Sequence, residues 1–179
     1  MQKKSMIAVA GGILVAGAAL LVAQNTSWLT GTVDEKFNKL ADIQPGLGTV
    51  MIEYGSRFGN IYYAAQAANW GMAAYQLKEM VEIQEVGETT RPARKAALQG
   101  LEKSTLVPLA KDIVNQDLTN FNKDFTTAVA FCNACHQATG FSYVVYKLPD
   151  QPDVPAKLDT GQKFATADLQ ALLADVLAP

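Results

Sequence analysis

From Leu47 to Thr139 apolar side chains recur at steps of three and four, and no stretch of that span sustains the apolar–polar alternation of a strand. That period belongs to helices that turn one face toward a core. Met51, Tyr54, Phe58, Ile61, Tyr62 and Ala65 share the first such face. Trp70, Ala73, Ala74, Leu77, Met80 and Val81 form the second, on a helix that starts near Asn69 and finds a stop signal at Gly87. Glu79, Glu82 and Glu85 lie mostly off that stripe, as a solvated face would. A third helix begins at Thr90 or Arg91 with Pro92 in its first turn, and carries Leu98, Leu101, Thr105, Leu109, Ile113 and Val114. Within it Pro108 lacks a backbone donor, which predicts a kink or break near Val107. The fourth helix runs from about Thr119 to Thr139, with Gly140 to end it, on the face Leu118, Phe121, Phe125, Val129, Cys132, Cys135 and His136. Four helices of roughly 20 residues with short connectors predict an all-α fold, an antiparallel four-helix bundle over residues 47–140.

The flanks differ from this core. Lys3 and Lys4 precede an uncharged run of 18 residues, Met6 to Ala23. That is longer than a usual signal h-region of roughly 7–15 residues and just short of the ~20 that span a bilayer comfortably. Residues 1–23 therefore read as a cleaved signal peptide or a retained membrane anchor, with Trp28 suited to an interface. Either places the rest of the chain outside the cytoplasm, on the periplasmic side of the inner membrane. Residues 24–46 read as a connector broken by Gly31, Pro45 and Gly46. Residues 141–179 read as an irregular C-terminal extension: Phe141–Lys147 suits an extended segment, and Pro149, Pro152 and Pro155 suit a wrap. A short terminal helix, Thr166–Leu177, would be apolar at Leu169, Leu172, Leu173 and Val176. A net charge of −2 gives no basic field for nucleic acid. With 49% hydrophobic against 18% charged residues, disorder is excluded as well.

The chain has one histidine and two cysteines, and all three fall in Cys132-Asn133-Ala134-Cys135-His136. The spacing C-x-x-C-H is that of covalent c-type haem attachment. On a helix these three positions sit at about 0°, −60° and +40°, within one arc. Two thiols one turn apart can form thioethers to the two haem vinyl groups, and the adjacent imidazole can reach the iron. Three other uses of the motif compete. Zinc would need a carboxylate or a partner chain, because three Cys and His fall short of four ligands. A redox dithiol belongs at a helix N-terminus beside a βαβ unit, whereas these cysteines stand near a helix end in an all-α pattern. A disulfide within one helical turn would stabilise little.

A single histidine excludes bis-His ligation, so the second axial position falls to a methionine, a lysine or no side chain at all. Three methionines follow the leader. Met51, near the start of the first helix, is level with His136 near the end of the fourth; Met80 is at the right end but deeper, and Met72 is at the wrong end. All three also suit core filling. Tyr54, Gly55 and Phe58, one to two turns beyond Met51, would line the pocket with Met80, Phe125 and Val129, and Gly55 would give a macrocycle room to approach the backbone.

With a haem motif on its last long helix, the span Leu47–Gly140 resembles the class II c-type cytochromes, the cytochrome c prime group and its low-spin, Met-ligated relatives. The resemblance implies one covalent haem c on Cys132 and Cys135, with His136 as proximal iron ligand. It implies Met51 as sixth ligand if this chain follows the low-spin members, and a five-coordinate, gas-binding iron if it follows the high-spin ones. It also implies a homodimer through the first two helices. Two features depart from the family pattern: Gln137, Ala138, Thr139 and Gly140 replace the aromatic and basic residues that commonly come after the motif, and 39 residues lie beyond Gly140.

The function expected is that of an exported one-electron carrier that meets other redox proteins. A haem module binding nitric oxide or carbon monoxide is one alternative. An accessory haem subunit that docks on a membrane redox complex is another. A lone histidine and the absence of a Gly-rich phosphate loop argue against an enzyme.

Overall fold

The computed structural model describes residues 30–153, 158 and 160–178; the apolar run 6–23 and Trp28 lie outside them. The described residues are all-α, with no strand among them. Contacts separate a unit ending at Gln44 from one beginning at Pro45. In the first, the described part of the expected connector carries a helix, α1 (Val33–Asp42). Its start is a capping box: Thr32 Oγ1 accepts from Glu35 N at 3.3 Å, and Thr32 N donates to Glu35 Oε2 at 2.6 Å. None of its residues is buried.

The second unit holds the core. α2 (Leu47–Gln66) and α3 (Trp70–Thr90) form a helical hairpin. Its turn puts Ala68 at φ +54, and Asn69 caps α3 by accepting from Met72 N at 3.1 Å. Gly87 does not stop α3. The helix runs three residues further, and Gly87 is a point of close approach, where a Cβ would stand 3.0 Å from Leu47 and 3.2 Å from Val50. The third predicted helix is present as a 3₁₀ turn (Pro92–Arg94), α4 (Lys95–Leu101), a π-helical turn (Glu102–Leu106) and α5 (Val107–Asn115). The irregularity predicted from Pro108 is this π turn. Val107 N reaches back five residues to Glu102 O, and the missing Pro108 donor falls just beyond it. Gln116 closes α5 in the left-handed region, and Asp117 caps α6 (Leu118–Ala138) by accepting from Asn120 N at 3.0 Å.

α6 meets α2 and the start of α3 through aromatic rings. Phe58 stacks on Phe125 with centroids 4.4 Å apart, Tyr62 lies 5.0 Å from Phe125, and Phe121 meets Trp70 edge-on. The expected terminal helix is split at Leu173 into α7 (Thr166–Leu172) and α8 (Ala174–Leu177). Leu169, Leu173 and Val176 are fully buried there, against α3 and α5. From Phe141 to Asp153 the chain runs without regular structure, and part of it lies along α2. Tyr146 lies over Gly55, Pro149 over Gly59, and Asp153 exchanges hydrogen bonds with the buried Asn60 amide. Two glycines one turn apart thus make the track in which this strap lies.

Candidate site around the CNACH helix end

The apolar face of α6 surfaces toward its C-terminal end. Phe121 and Phe125 are buried, Val129 is half-buried against the core, and Cys132, Cys135 and His136 are half-buried. Both cysteines are free thiols. Burial, and then the neighbouring Cys135, push the Cys132 thiol up to about 11, so it is protonated at neutral pH. A redox dithiol needs a depressed thiol pKa, and this environment does the opposite.

The segment after α6 organises the motif. Gly140, at φ +87, lets the chain reverse, and Phe141 N donates to His136 O at 2.8 Å. The returning chain then lies beside α6. His136 Nδ1 donates to Val144 O at 2.8 Å, with the tautomer assigned from this carbonyl partner. Asn133, the first variable residue of the motif, pairs with the Tyr146 backbone in both directions: Tyr146 N donates to Asn133 Oδ1 at 2.7 Å, and Asn133 Nδ2 donates to Tyr146 O at 3.3 Å. An imidazole that donates through Nδ1 keeps its lone pair on Nε2, which leaves that nitrogen able to accept a proton or bind a metal.

Of the remaining candidates, Tyr54 lies within electrostatic reach of both thiols. It is buried, its hydroxyl has no partner, and burial followed by the charges of Cys132, Glu102 and Cys135 hold its pKa well above the usual value. Phe58 and Phe125 form the stack already described, and Phe58 also meets Tyr146 at 5.3 Å. Met51 is half-buried against the same core, and Met80 is wholly buried within it. The space left by Gly55 is filled. A Cβ there would lie 3.5 Å from the Tyr146 ring, whose hydroxyl donates to Gly55 O at 3.4 Å. Val144, Asn133 and Tyr146 were not singled out from sequence; the one available signal was the apolar run Phe141–Tyr146 directly after a helix-ending glycine.

A separate cleft of about 470 Å³, lined by Ile52, Ser56, Arg57, Asn60, Gln76 and Asp153 among others, contains none of the motif residues. Its one cation, Arg57, is matched by Glu53 at 2.8 Å and Glu79 at 3.7 Å. Among the described residues no group of three or more His, Cys, Asp or Glu side chains is placed to hold a metal ion. A porphyrin supplies four nitrogens of its own, so a haem iron does not need such a group. Also among the described residues, no helix is long and apolar enough to cross a membrane. No family model matches this chain, and neither curated proteins nor solved structures gave a match.

Proposed function

We propose that this chain is an exported c-type cytochrome carrying one covalent haem, and that it transfers single electrons between redox proteins. The observation that carries this reading is the tether from His136 Nδ1 to the Val144 carbonyl, beside two free thiols at C-x-x-C spacing. The donor set fits the group: Cys132 and Cys135 would hold haem c covalently, and His136 would offer Nε2 to its iron. The surroundings fit too. Phe131, Phe141, Tyr143, Val144 and Val145 are exposed apolar side chains flanking the motif, surface that a macrocycle would cover. Bound there, haem c supplies an iron that cycles between Fe(III) and Fe(II). Cys132 and Cys135 anchor it, His136 holds its ring orientation through Val144, and Tyr146, pinned by Asn133, keeps water from the side toward Gly55. The helices of residues 47–140 are read here as an up-down-up-down bundle, and residues 1–23 as the export signal or periplasmic anchor.

A second reading rests on Tyr54. A buried hydroxyl without a partner, close to the thiols, could donate to a diatomic ligand such as nitric oxide on a five-coordinate iron. Purified holoprotein decides between the two. Haem that stays on the denatured chain, and is lost in Cys132→Ala/Cys135→Ala, supports covalent attachment; a wild-type chain without it sinks the cytochrome reading. A ferrous spectrum unchanged by carbon monoxide, with a sulfur–iron charge-transfer band in the oxidised form that Met51→Ala removes, supports the carrier with Met51 as sixth ligand. A carbon monoxide adduct that Tyr54→Phe weakens supports the gas-binding module.

A further inference from the structure

The π turn after α4 brings a second chemistry into the core. Glu102 is its first residue and is only 7% exposed, and Glu88 on α3 is only 6% exposed. Both converge on the wholly buried Gln84. Gln84 Nε2 lies 3.0 Å from Glu88 Oε1, 3.0 Å from Glu102 Oε2 and 3.4 Å from Leu98 O, while Gln84 Oε1 has no partner. One neutral amide with two N–H groups thus faces three acceptors, two of them carboxyl groups, and its own oxygen lacks a donor. One added proton would ease this crowding, because a protonated carboxyl removes one buried charge and adds a donor to a cluster that has too many acceptors.

The other charges around the pair leave this need unmet. Glu85 on α3 adds a third negative charge in reach of Glu102, and among the described residues the cation that acts on Glu102 is Lys103, an exposed neighbour in the same turn. From α2 the facing titratable group is Tyr54, and from α6 Cys132 and Cys135 act on Tyr54. Burial first, then Glu88 and Glu85, raise Glu102 above the ordinary carboxyl range. The π turn packs directly on α6, Cys132 packs against the core that holds Tyr54, and Tyr54 lies within electrostatic reach of both Glu102 and the two thiols, so a charge that appears at the motif is felt at Glu102.

We propose that Glu88 and Glu102, joined through Gln84, form a redox-linked proton-binding site that takes up one proton when the cofactor held by Cys132, Cys135 and His136 gains an electron. The inference rests on the cytochrome reading. The electron comes from a one-electron donor protein, the proton comes from water, and the only bond formed is a carboxyl O–H. Release of the electron to an acceptor reverses both.

The test is a redox titration of the holoprotein over a series of pH values, for the wild type, Glu102→Gln and Glu88→Gln. The wild-type potential should fall as pH rises above the ordinary glutamate range, by up to about 59 mV per tenfold change in proton activity. Either isosteric variant should flatten that slope. A wild-type potential independent of pH, or a slope that both variants retain, overturns the proposal. Reduced-minus-oxidised infrared spectra of the wild type serve if the variants fail to fold. A protonated-carboxyl C=O band that appears on reduction and shifts in heavy water supports the site, and its absence overturns it. A wild-type chain without covalent haem overturns the cytochrome reading and the coupling together, whereas haem with a pH-flat potential overturns the coupling alone.

Discussion

Asn133 shows how much one side chain of the motif does. Its amide meets the Tyr146 backbone as a second strand would, donating once and accepting once, and so holds Val144 where His136 can reach its carbonyl. Asn133→Ala should cost about 1–3 kcal/mol, since it leaves the partially buried Tyr146 N–H without an acceptor; urea denaturation measures it. On the proposed cytochrome reading, the same change should raise the redox potential of the haem-loaded protein, because an imidazole with a loosened Nδ1 hydrogen bond is less basic and would favour Fe(III) less. An unchanged potential would show that His136 does not depend on the strap. Asp112 is a second residue with a measurable consequence. Burial first, then Asp124 and Asp117, lift it from 3.8 to about 6, and its Oδ2 has no partner. A carboxyl raised in the folded state binds its proton more tightly there than in the unfolded chain. Its favourable contribution is therefore complete below pH 4 and is lost as pH rises to about 6. Asp112→Asn should remove that decline and raise stability at pH 7 by on the order of 1 kcal/mol, as thermal unfolding across pH would show.

At the scale of elements, the helix starts and stops were legible wherever local chemistry set them. Asn69 and Gly140 act as the sequence implies, and Pro108 does produce an irregularity, while the cap at Asp117 went unread. The Thr32–Glu35 capping box was equally legible, yet its helix was hidden among the Gly and Pro signals of the expected connector. Gly87 was misread because a glycine needed for close packing and a glycine that ends a helix look alike until the neighbouring helix is in place. Gly71 is a sharper case, since a Cβ there would run into the ring of Phe164. Gly71→Ala should dislodge Phe164, cost about 1–3 kcal/mol as overpacking, and make the chain ahead of α7 more sensitive to limited proteolysis. A proteolytic pattern like the wild type's would show that the ring has another place to go.

For the whole molecule, the C-terminal extension completes the core instead of trailing from it. Leu169, Leu173 and Val176 are fully buried, and Gln116 Nε2 donates to Phe164 O at 2.9 Å ahead of them. Ending the chain at Phe164 should cost roughly 4–9 kcal/mol at 1.5–3 kcal/mol for each buried side chain, enough to unfold a domain of ordinary stability. Calorimetry or circular dichroism would read this as a lost or strongly lowered transition, and an unshifted one would show that α7 and α8 are dispensable.

Sequence alone determined the helical class, the approximate span of each helix in residues 47–140 and the C-x-x-C-H spacing of Cys132, Cys135 and His136 on which the haem proposal rests. These depend on local quantities: a period, a cap, a missing N–H, a spacing of five residues. It did not show which carbonyl holds His136, what fills the space at Gly55, or that Glu88 and Glu102 share one amide. Those pairings join residues between 4 and 91 positions apart. The i,i+4 contact of Gln84 with Glu88 is local to α3, but no local rule ranks the others, because they exist only after the π turn has packed on α3 and the strap has packed on α2 and α6.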